Sequence, residues 1–588
     1  MTGAADASSG ASSRGRGPLR GLLWLGLAAL GALHLFGARR DAWFAGDEAW
    51  YVGLARALSS GEGYRFDGLP HGVYPPGYPI ALMPAVDRWG VDPHALVVYS
   101  GVLSLFGVLA VAWWLARRGD VRSPGLWIWF LLASVGVFEV FTDLRSEGLF
   151  LLVLALLLGT LERHASPRPG GARPGALALA GGAVLGLLLG AALPAVRSVG
   201  MALPAALLLS AATGILGPGR RLGAGWLARA GGAFAGSVAY LLWWIPRGGR
   251  YGDERSYLNL LTMVDPHEPD LGRAGPLQVL ERLFDQTAIQ LSHGVELLTN
   301  IVPFHPFLFG WPQLVLAALV ALGIARELAR RNPVAGWFFL GYMAIIVSWP
   351  FDEGTRFLVP VFPMLLLFVV RGGEWAWSVR PRTAEGWRRA AYWMALLAVV
   401  AAVETLARGA TSKQGWLWVA LWAASASFAA FRGGALAEWS PPVRRRRVRA
   451  GWALVFLLVG LPSIVAATVM QRGGETKFQA DRIGGGVEWI RAHTDSSTVL
   501  ASTSEHQGLH LHTGRTVRGV PTTSDPERLW AAVDTTRARY LVVPGDHEYP
   551  YLRPTGDARF SVLDATRPGV LHLVFAWPLG RVFELRAP

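Results

Sequence analysis

Asp47 and Glu48 stand side by side in Gly46-Asp47-Glu48-Ala49-Trp50-Tyr51, just after the first apolar run, and Tyr74-Pro75-Pro76-Gly77-Tyr78-Pro79 follows in the same polar loop. Two adjacent carboxylates beside a bilayer are costly unless something uses them. A carboxylate in a partly desolvated loop has the character of a general base. The run Gly21 to Gly37 is preceded by Arg14, Arg16 and Arg20, so the positive-inside rule puts this loop on the outer face. An acidic pair there points to chemistry on an external or lipid-borne substrate.

The elements that must hold such a pair are membrane helices. Hydrophobic residues make up 52% of the chain, with 26 Trp and repeated apolar runs, the signature of a polytopic α-helical membrane protein. The net charge of +14 comes from arginines clustered in short loops, where orientation in the membrane explains them and nucleic-acid binding does not. Cysteine is absent, which excludes disulfides and thiol chemistry. Lys413 and Lys477 are the only lysines, a composition bias that hints at a GC-rich bacterium. Apolar runs predict about thirteen spans, near 21–37, 95–116, 125–141, 147–161, 175–193, 198–215, 226–245, 310–326, 335–350, 357–370, 390–407, 416–432 and 451–470. The arginines alternate with them: Arg117/Arg118/Arg122, Arg163/Arg168/Arg173, Arg220/Arg221/Arg229, Arg326/Arg330/Arg331, Arg380/Arg382/Arg388/Arg389 and Arg444 to Arg447 fall on the inner side. The N-terminus is then cytoplasmic and the C-terminus outside. The first span lacks an Ala-x-Ala-like site after it and reads as an uncleaved helix, behind a disordered cytoplasmic tail over 1–19.

With this topology the unusual polar residues share one side. Outside lie Asp47/Glu48, Asp143-Leu144-Arg145-Ser146-Glu147, Arg197, Asp253/Glu254/Arg255 with Asp265-Pro266-His267-Glu268, and Asp352-Glu353-Gly354-Thr355-Arg356. A single charge at a helix end is commonly a solvated cap. Acids and arginines at the outer ends of five segments are what a shared outward-facing cavity needs. Asp47 to Leu58 reads as a helix along the membrane, its carboxylates in the first turn, with Trp43, Phe44, Trp50 and Tyr51 as interfacial aromatics. The Pro-Pro-Gly segment reads as scaffolding that returns the loop to the bilayer rather than as a contact.

These residues resemble the integral-membrane glycosyltransferases of the GT-C class, especially family 39 with the protein O-mannosyltransferases and lipid A aminoarabinose transferases. The resemblance covers about 20–370 and rests on Gly46-Asp47-Glu48 with Tyr51, Ala55-Arg56, Leu58 and Gly61, and on Tyr74-Pro75-Pro76-Gly77-Tyr78-Pro79. It continues through Ser146-Glu147-Gly148-Leu149-Phe150, Arg197-Ser198-Val199-Gly200 and Arg356-Phe357-Leu358-Val359-Pro360-Val361-Phe362-Pro363. Gly148 departs from the Pro that many relatives carry there. The resemblance implies a sugar donor on a polyprenyl phosphate and a catalytic acid in the first loop. Asp47 is then the base, with Glu48, Asp143 and Glu147 positioning the acceptor or tuning Asp47. Arg197 and Arg356, with Arg145 as a third, take the donor phosphate, because a phosphate leaving group needs charge stabilisation more than a proton. Attack opposite the phosphate inverts the anomeric centre. The acceptor is a hydroxyl on a lipid, glycan or protein.

The expected architecture is a GT-C-like membrane module over 20–471, with outer loops 38–94 and 246–309, and an extracytoplasmic α/β domain over 472–588. In the latter, Val487 to His493 reads as helix and Ser497 to Ser502 as strand. Ser524 to Val533 reads as a helix opened by a Ser524-x-x-Glu527 capping box, and Tyr540 to Val543, Leu571 to Ala576 and Arg581 to Leu585 as strands. Gly484-Gly485-Gly486 reads as a flexible lead-in to the first of these helices. A divalent metal can be drawn among Asp47, Glu48, Asp143 and Glu147, though no ligand spacing requires one. His506, His510 and His512 read as surface or packing residues rather than a zinc site. Two other readings exist: a transporter or lipid flippase, which would show repeated halves, and a membrane-anchored sensor or scaffold, which would not need the acid and arginine pattern.

Overall fold

Glycines recur at every fourth residue of the apolar run around Gly182, Gly186 and Gly190, and again at Gly232 and Gly236. In the computed structural model these rows face each other across α8 (Ala176–Val196) and α10 (Ala224–Tyr251). A side chain at Gly190 would collide with the carbonyl of Ala233, and one at Gly232 with that of Ala183. Lipid tails are as apolar as leucine, so membrane helices associate where small residues let backbones come close.

The structure describes residues 17–40, 43–118, 120–121, 124–163, 174–216, 222–251, 257–265, 271–300, 311–330, 332–378, 464–465, 468–469, 483–520, 525–544 and 566–586. The spans expected at 390–407, 416–432 and most of 451–470, with their arginine loops, lie outside the described residues, as do 1–16 of the expected tail. α1 (Gly17–Phe36) leads to α2 (Gly46–Ser59), the hairpin β1 (Arg65–Phe66) and β2 (Leu69–Pro70), α3 (Gly77–Trp89) and α4 (Pro93–Arg117). Then come α5 (Pro124–Leu132), α6 (Val135–Phe141) and α7 (Glu147–Arg163) before α8. A 3₁₀ turn at Ser198–Met201 opens α9 (Ala202–Leu216), and after α10 follow α11 (Tyr257–Thr262), α12 (Pro276–Thr299), α13 (Trp311–Leu328) and α14 (Val334–Ser348). Two 3₁₀ turns, Gly354–Phe357 and Val359–Val361, precede α15 (Phe362–Ser378). Among the described residues, Pro93–Arg117, Ala176–Val196 and Val359–Ala376 are long and apolar enough to cross a membrane, with shorter apolar helices at Leu27–Phe36, Ser198–Gly214 and Val334–Ser348.

Three expectations need correction. The run 125–141 is not one helix but α5 and α6, broken at Ala133-Ser134. Asn300, itself in the left-handed conformation after α12, closes the break: its Nδ2 donates to Ala133 O at 2.9 Å, and its Oδ1 accepts from Val135 N at 2.8 Å. Apolarity alone cannot reveal such a break, because the partner that satisfies the freed backbone is distant in sequence. The loop expected over 246–309 carries the last turns of α10 and the 24-residue α12, whose polar residues mask a helix that packs on α13 and α14. α2 does not merely lie on the bilayer. Phe44, Val52, Leu54 and Ala55 are fully buried, and α2 is sandwiched between α3 and the C-terminal region.

Two polar clusters mark the ends of the bundle. Buried Arg118, after α4, pairs with Glu327 of α13 at 2.7 Å and with Glu162 of α7 at 3.2 Å, while Arg330 reaches the same Glu162 at 2.9 Å and Arg371 also pairs with Glu327. At the other end of α7 stands Glu147, about 22 Å away along the helix at 1.5 Å per residue. Gly148 beside it packs against Ser104 of α4 so closely that any side chain would collide. That contact accounts for glycine at a position where the resemblance suggests proline.

The C-terminal residues form a five-stranded sheet in the order β4 (Thr516–Gly519), β3 (Val499–Ser502), β5 (Tyr540–Pro544), β7 (Gly580–Leu585), β6 (Leu571–Trp577). β3 pairs parallel with β4 and β5, and β6–β7 is an antiparallel hairpin. Leu529 and Trp530 cover one face, and Val487, Ile490 and Leu509 the other. The helices are α16 (Gly485–His493), α17 (His506–Thr513) and α18 (Pro526–Thr536). The cap of α18 is Asp525, whose side chain accepts from Glu527 N and Arg528 N, and not Ser524. Asp is as good an N-cap as Ser and stands directly before the helical proline. Gly484, Gly485 and Gly486 are not a loose lead-in: Trp43 and Trp577 pack against them where a side chain would stand.

Candidate active site

The local chain explains where each acid sits. Gly46, with φ of 57°, turns the backbone into α2, which places Asp47 and Glu48 in its first turn, where carboxylates suit the helix dipole. Thr142 closes α6, so Asp143 and Arg145 occupy the short link to α7, and Glu147 begins α7. Arg197 caps the C-terminus of α8 in an extended conformation. Asp352 and Glu353 follow α14, and Arg356 lies in the 3₁₀ turn behind Gly354.

These segments converge. Arg356 donates from Nη2 to Asp47 Oδ2 at 2.5 Å, from Nε to Glu147 Oε1 at 2.6 Å and from Nη1 to Glu353 Oε2 at 2.9 Å. Arg197 pairs with the same Glu147 oxygen and donates to Ser146 Oγ at 3.2 Å. Beside this chain lies a second group. Arg145 donates from Nε to Asp143 Oδ2 at 2.8 Å and lies 3.4 Å from Glu48, while Arg39 lies 3.0 Å from Asp143 and 3.5 Å from Glu48. All seven residues singled out from the sequence, Asp47, Glu48, Asp143, Arg145, Glu147, Arg197 and Arg356, thus meet at one end of the bundle. Of the other acids expected there, Asp352 turns aside to His293 of α12 at 2.9 Å and Asp265 lies near Arg282, while 253–255 and 266–268 fall outside the described residues.

Glu353, one of the acids expected on this side, joins Arg356, and two participants, Tyr74 and Arg39, were missed. Tyr74 donates to Asp47 Oδ1 at 2.6 Å, so the Tyr-Pro-Pro-Gly segment makes a contact and is not scaffold alone. Pro75 and Pro76 lead directly into α3, with Pro76 as its N-cap at φ −78° and ψ −12°. Arg39 is 4% exposed, an arginine buried just after α1. The signal for Arg39 was its violation of the positive-inside pattern.

The electrostatics separate the two neighbouring acids. Burial alone would raise the Asp47 carboxyl, but Arg356, then Arg145 and the Tyr74 hydroxyl, outweigh it and hold the group down at about 2. Glu48 goes the other way, to about 7, because burial and the charge of Asp143 outweigh Arg39 and Arg145. For Asp143, burial is outweighed by the same two guanidiniums, and its carboxyl lies below the usual range. One acid of the adjacent pair is therefore ionised throughout the physiological range, and the other titrates within it. Among the described residues no three of His, Asp and Glu converge as a metal-binding group; the four acids considered for a metal each face a guanidinium.

The three histidines of α17 point to separate partners: His512 to Phe44, His510 to Asp67 and the Arg515 carbonyl, and His506 to the ring of Trp50.

No family model matches the sequence, and no curated protein matches it. Among solved structures, ArnT from Cupriavidus metallidurans bound to undecaprenyl phosphate is similar at a TM-score of 0.57 and 14% identity, over 96% of this chain and 98% of that one. The same protein in the apo state is similar at 0.55 and 15%, with the same coverage. An oligosaccharyltransferase from Archaeoglobus fulgidus tethered with an acceptor peptide matches at 0.45 and 10%, over 96% and 74%, too low a TM-score to add to the assignment. The likeness to ArnT shows a shared fold over nearly the whole length of both chains, that of a polytopic helical membrane protein.

Proposed function

We propose that this chain is a membrane glycosyltransferase that moves a sugar from a polyprenyl phosphate to a hydroxyl on a lipid, glycan or protein. The observation that carries the reading is the chain Asp47–Arg356–Glu147–Arg197: one carboxylate at the head of a juxtamembrane helix, with two guanidiniums alongside. The solved structure of similar fold that holds undecaprenyl phosphate supports the donor class. The acceptor oxygen attacks the anomeric carbon, its proton passes to Asp47, and the bond from that carbon to the phosphate oxygen breaks with inversion. The electron pair leaves on the polyprenyl phosphate, whose charge Arg356 and Arg197 meet, with Arg145 as a third cation.

The resting geometry adds a step. Arg356 holds Asp47 at a pKa far too low for a base. A donor phosphate competes for that guanidinium, and drawing it away raises the Asp47 carboxyl toward a useful range. Base activation is thereby tied to donor binding. Glu48, Asp143 and Glu147 fix the arginines and the acceptor. The site faces the extracytoplasmic side of a bacterial plasma membrane, the N-terminus is cytoplasmic, and 472–588 forms an extracytoplasmic domain over the site.

The test is transfer from a panel of radiolabelled polyprenyl-phosphate sugars by membranes carrying the native chain or Asp47→Asn. A product made by the first and absent with the second supports the reading; no Asp47-dependent product from any donor, with folded protein and hydroxyl acceptors supplied, overturns it.

A further inference from the structure

The first turn of α2 has an unusual cap. A helix start leaves backbone N–H groups without internal partners, and a Ser, Thr, Asp or Asn at the N-cap normally accepts from them. Here the N-cap is Ala45, which cannot. Three successive N–H groups, from Phe44 before the cap to Gly46 at the first helical position, find side-chain partners instead, two of them in the C-terminal region. Phe44 N donates to His512 Nε2 at 2.7 Å, Ala45 N to Glu48 Oε2 at 3.3 Å, and Gly46 N to Glu505 Oε2 at 2.8 Å. His512 and Glu505 belong to α17 and the residue before it, 468 and 459 positions away. Glu505 holds a left-handed φ of 53°, an uncommon conformation for a non-glycine residue that aims its carboxylate at Gly46. Gly508 lies against the Phe44 carbonyl where a side chain would collide, and Arg491 stacks over the Trp43 ring at 5.8 Å.

We infer that Glu505 and His512 are positioning residues for Asp47: the C-terminal region supplies the missing cap of α2 and so sets where the carboxylate meets Arg356. The inference rests on the proposed glycosyl transfer for its kinetic part and on geometry alone for its structural part. Asp47 directly follows Gly46, and Glu48 both caps Ala45 and belongs to the Arg39–Arg145 group, so a loose lead-in displaces the acid pair as a unit. The C-terminal region then acts in the chemical step for every acceptor, which separates this role from acceptor recognition.

The experiment compares Glu505→Ala with Glu505→Gln in the full-length chain, because glutamine keeps an oxygen that accepts from Gly46 N. Two readouts are taken: steady-state transfer with two different acceptors, and hydrogen exchange of the backbone over 43–48 with 176–196 as internal reference. Glu505→Ala is expected to lower kcat roughly tenfold to a hundredfold with both acceptors, as a misplacement of about 1 Å does, and to leave KM within about twofold. Exchange over 43–48 should accelerate while the reference stays slow, and Glu505→Gln should restore both. A rise in acceptor KM with kcat unchanged overturns the inference in favour of acceptor recognition. Unchanged exchange over 43–48 in Glu505→Ala, or a Glu505→Gln variant as impaired as Glu505→Ala, overturns it as well. Should Glu505→Ala also loosen the reference, His512→Gln and Glu505→Gln decide by the same criteria. A native chain that transfers no sugar but shows the exchange response would defeat the proposed function and leave the capping role standing.

Discussion

Arg356 and Asp47 are 309 residues apart in the chain and share a charge-assisted hydrogen bond of 2.5 Å, while the same guanidinium holds Glu147. One arginine therefore ties the first polar loop, the head of α7 and the turn before α15 into a single centre.

Asp47→Asn keeps the size of the side chain and removes the base. Transfer should fall about a hundredfold to ten-thousandfold in kcat, with donor binding retained. Arg356→Lys keeps the charge but loses the planar fork that reaches Asp47, Glu147 and Glu353 together, so it should lower kcat while leaving folding intact. A single-turnover assay with labelled donor reads both.

Glu48 gives a pH signature. Its carboxyl is raised from 4.5 in the unfolded chain to about 7 in the fold, so the folded state holds more protons between those values, and stability declines as pH rises from about 4.5 through 7. Glu48→Gln should flatten that slope. Unfolding temperature in detergent at pH 5 and pH 8, native against variant, checks it; equal slopes would show that Glu48 is not the titrating group.

His512 acts in the opposite sense on the clasp around Phe44. Burial lowers the imidazole to about 4, so the unfolded chain binds more protons between about 4 and 6.5, and protonation of Nε2 removes the lone pair that accepts from Phe44 N. Its contribution to stability is present above that window and lost as pH falls through it. Protection over 43–48, corrected for the intrinsic pH dependence of amide exchange, should fall below about pH 5, and His512→Gln should remove this dependence.

Asn300→Ala strips the α5–α6 break of both side-chain partners, leaving Ala133 O and Val135 N unpaired. Each unsatisfied backbone group costs about 1–3 kcal/mol, which thermal unfolding of the variant should register as a clear drop.

The α8–α10 contact offers a graded comparison. Gly190→Leu drives a side chain into the Ala233 carbonyl and should abolish folded protein, whereas Gly231→Ala, with nothing within 4 Å of the added carbon, should be neutral. The yield of monodisperse protein in size-exclusion chromatography tells them apart.

Much of this protein is local and therefore readable from the chain. Long apolar runs had to become helices, because a bilayer offers the backbone no other partner. Arginine-rich and acid-bearing loops alternated along the chain, and the residues that meet at the site were recognisable by type and by their shared place in that alternation. The strand read over Tyr540 to Val543 followed from a short continuous apolar run, and the hairpin turn before Gly580 from its turn residues.

What the tertiary structure decided are the pairings between distant segments. Asn300 breaking an apolar run, Tyr74 turning onto Asp47, Arg39 held between Asp143 and Glu48, and Glu505 capping a helix that begins with alanine each depend on a partner that no local pattern specifies. The opposite shifts of the Asp47 and Glu48 carboxyls have the same origin. Adjacent residues of like chemistry differ because Arg356 faces one and Asp143 the other, and a carboxylate's pKa is set by its neighbours in space rather than in sequence.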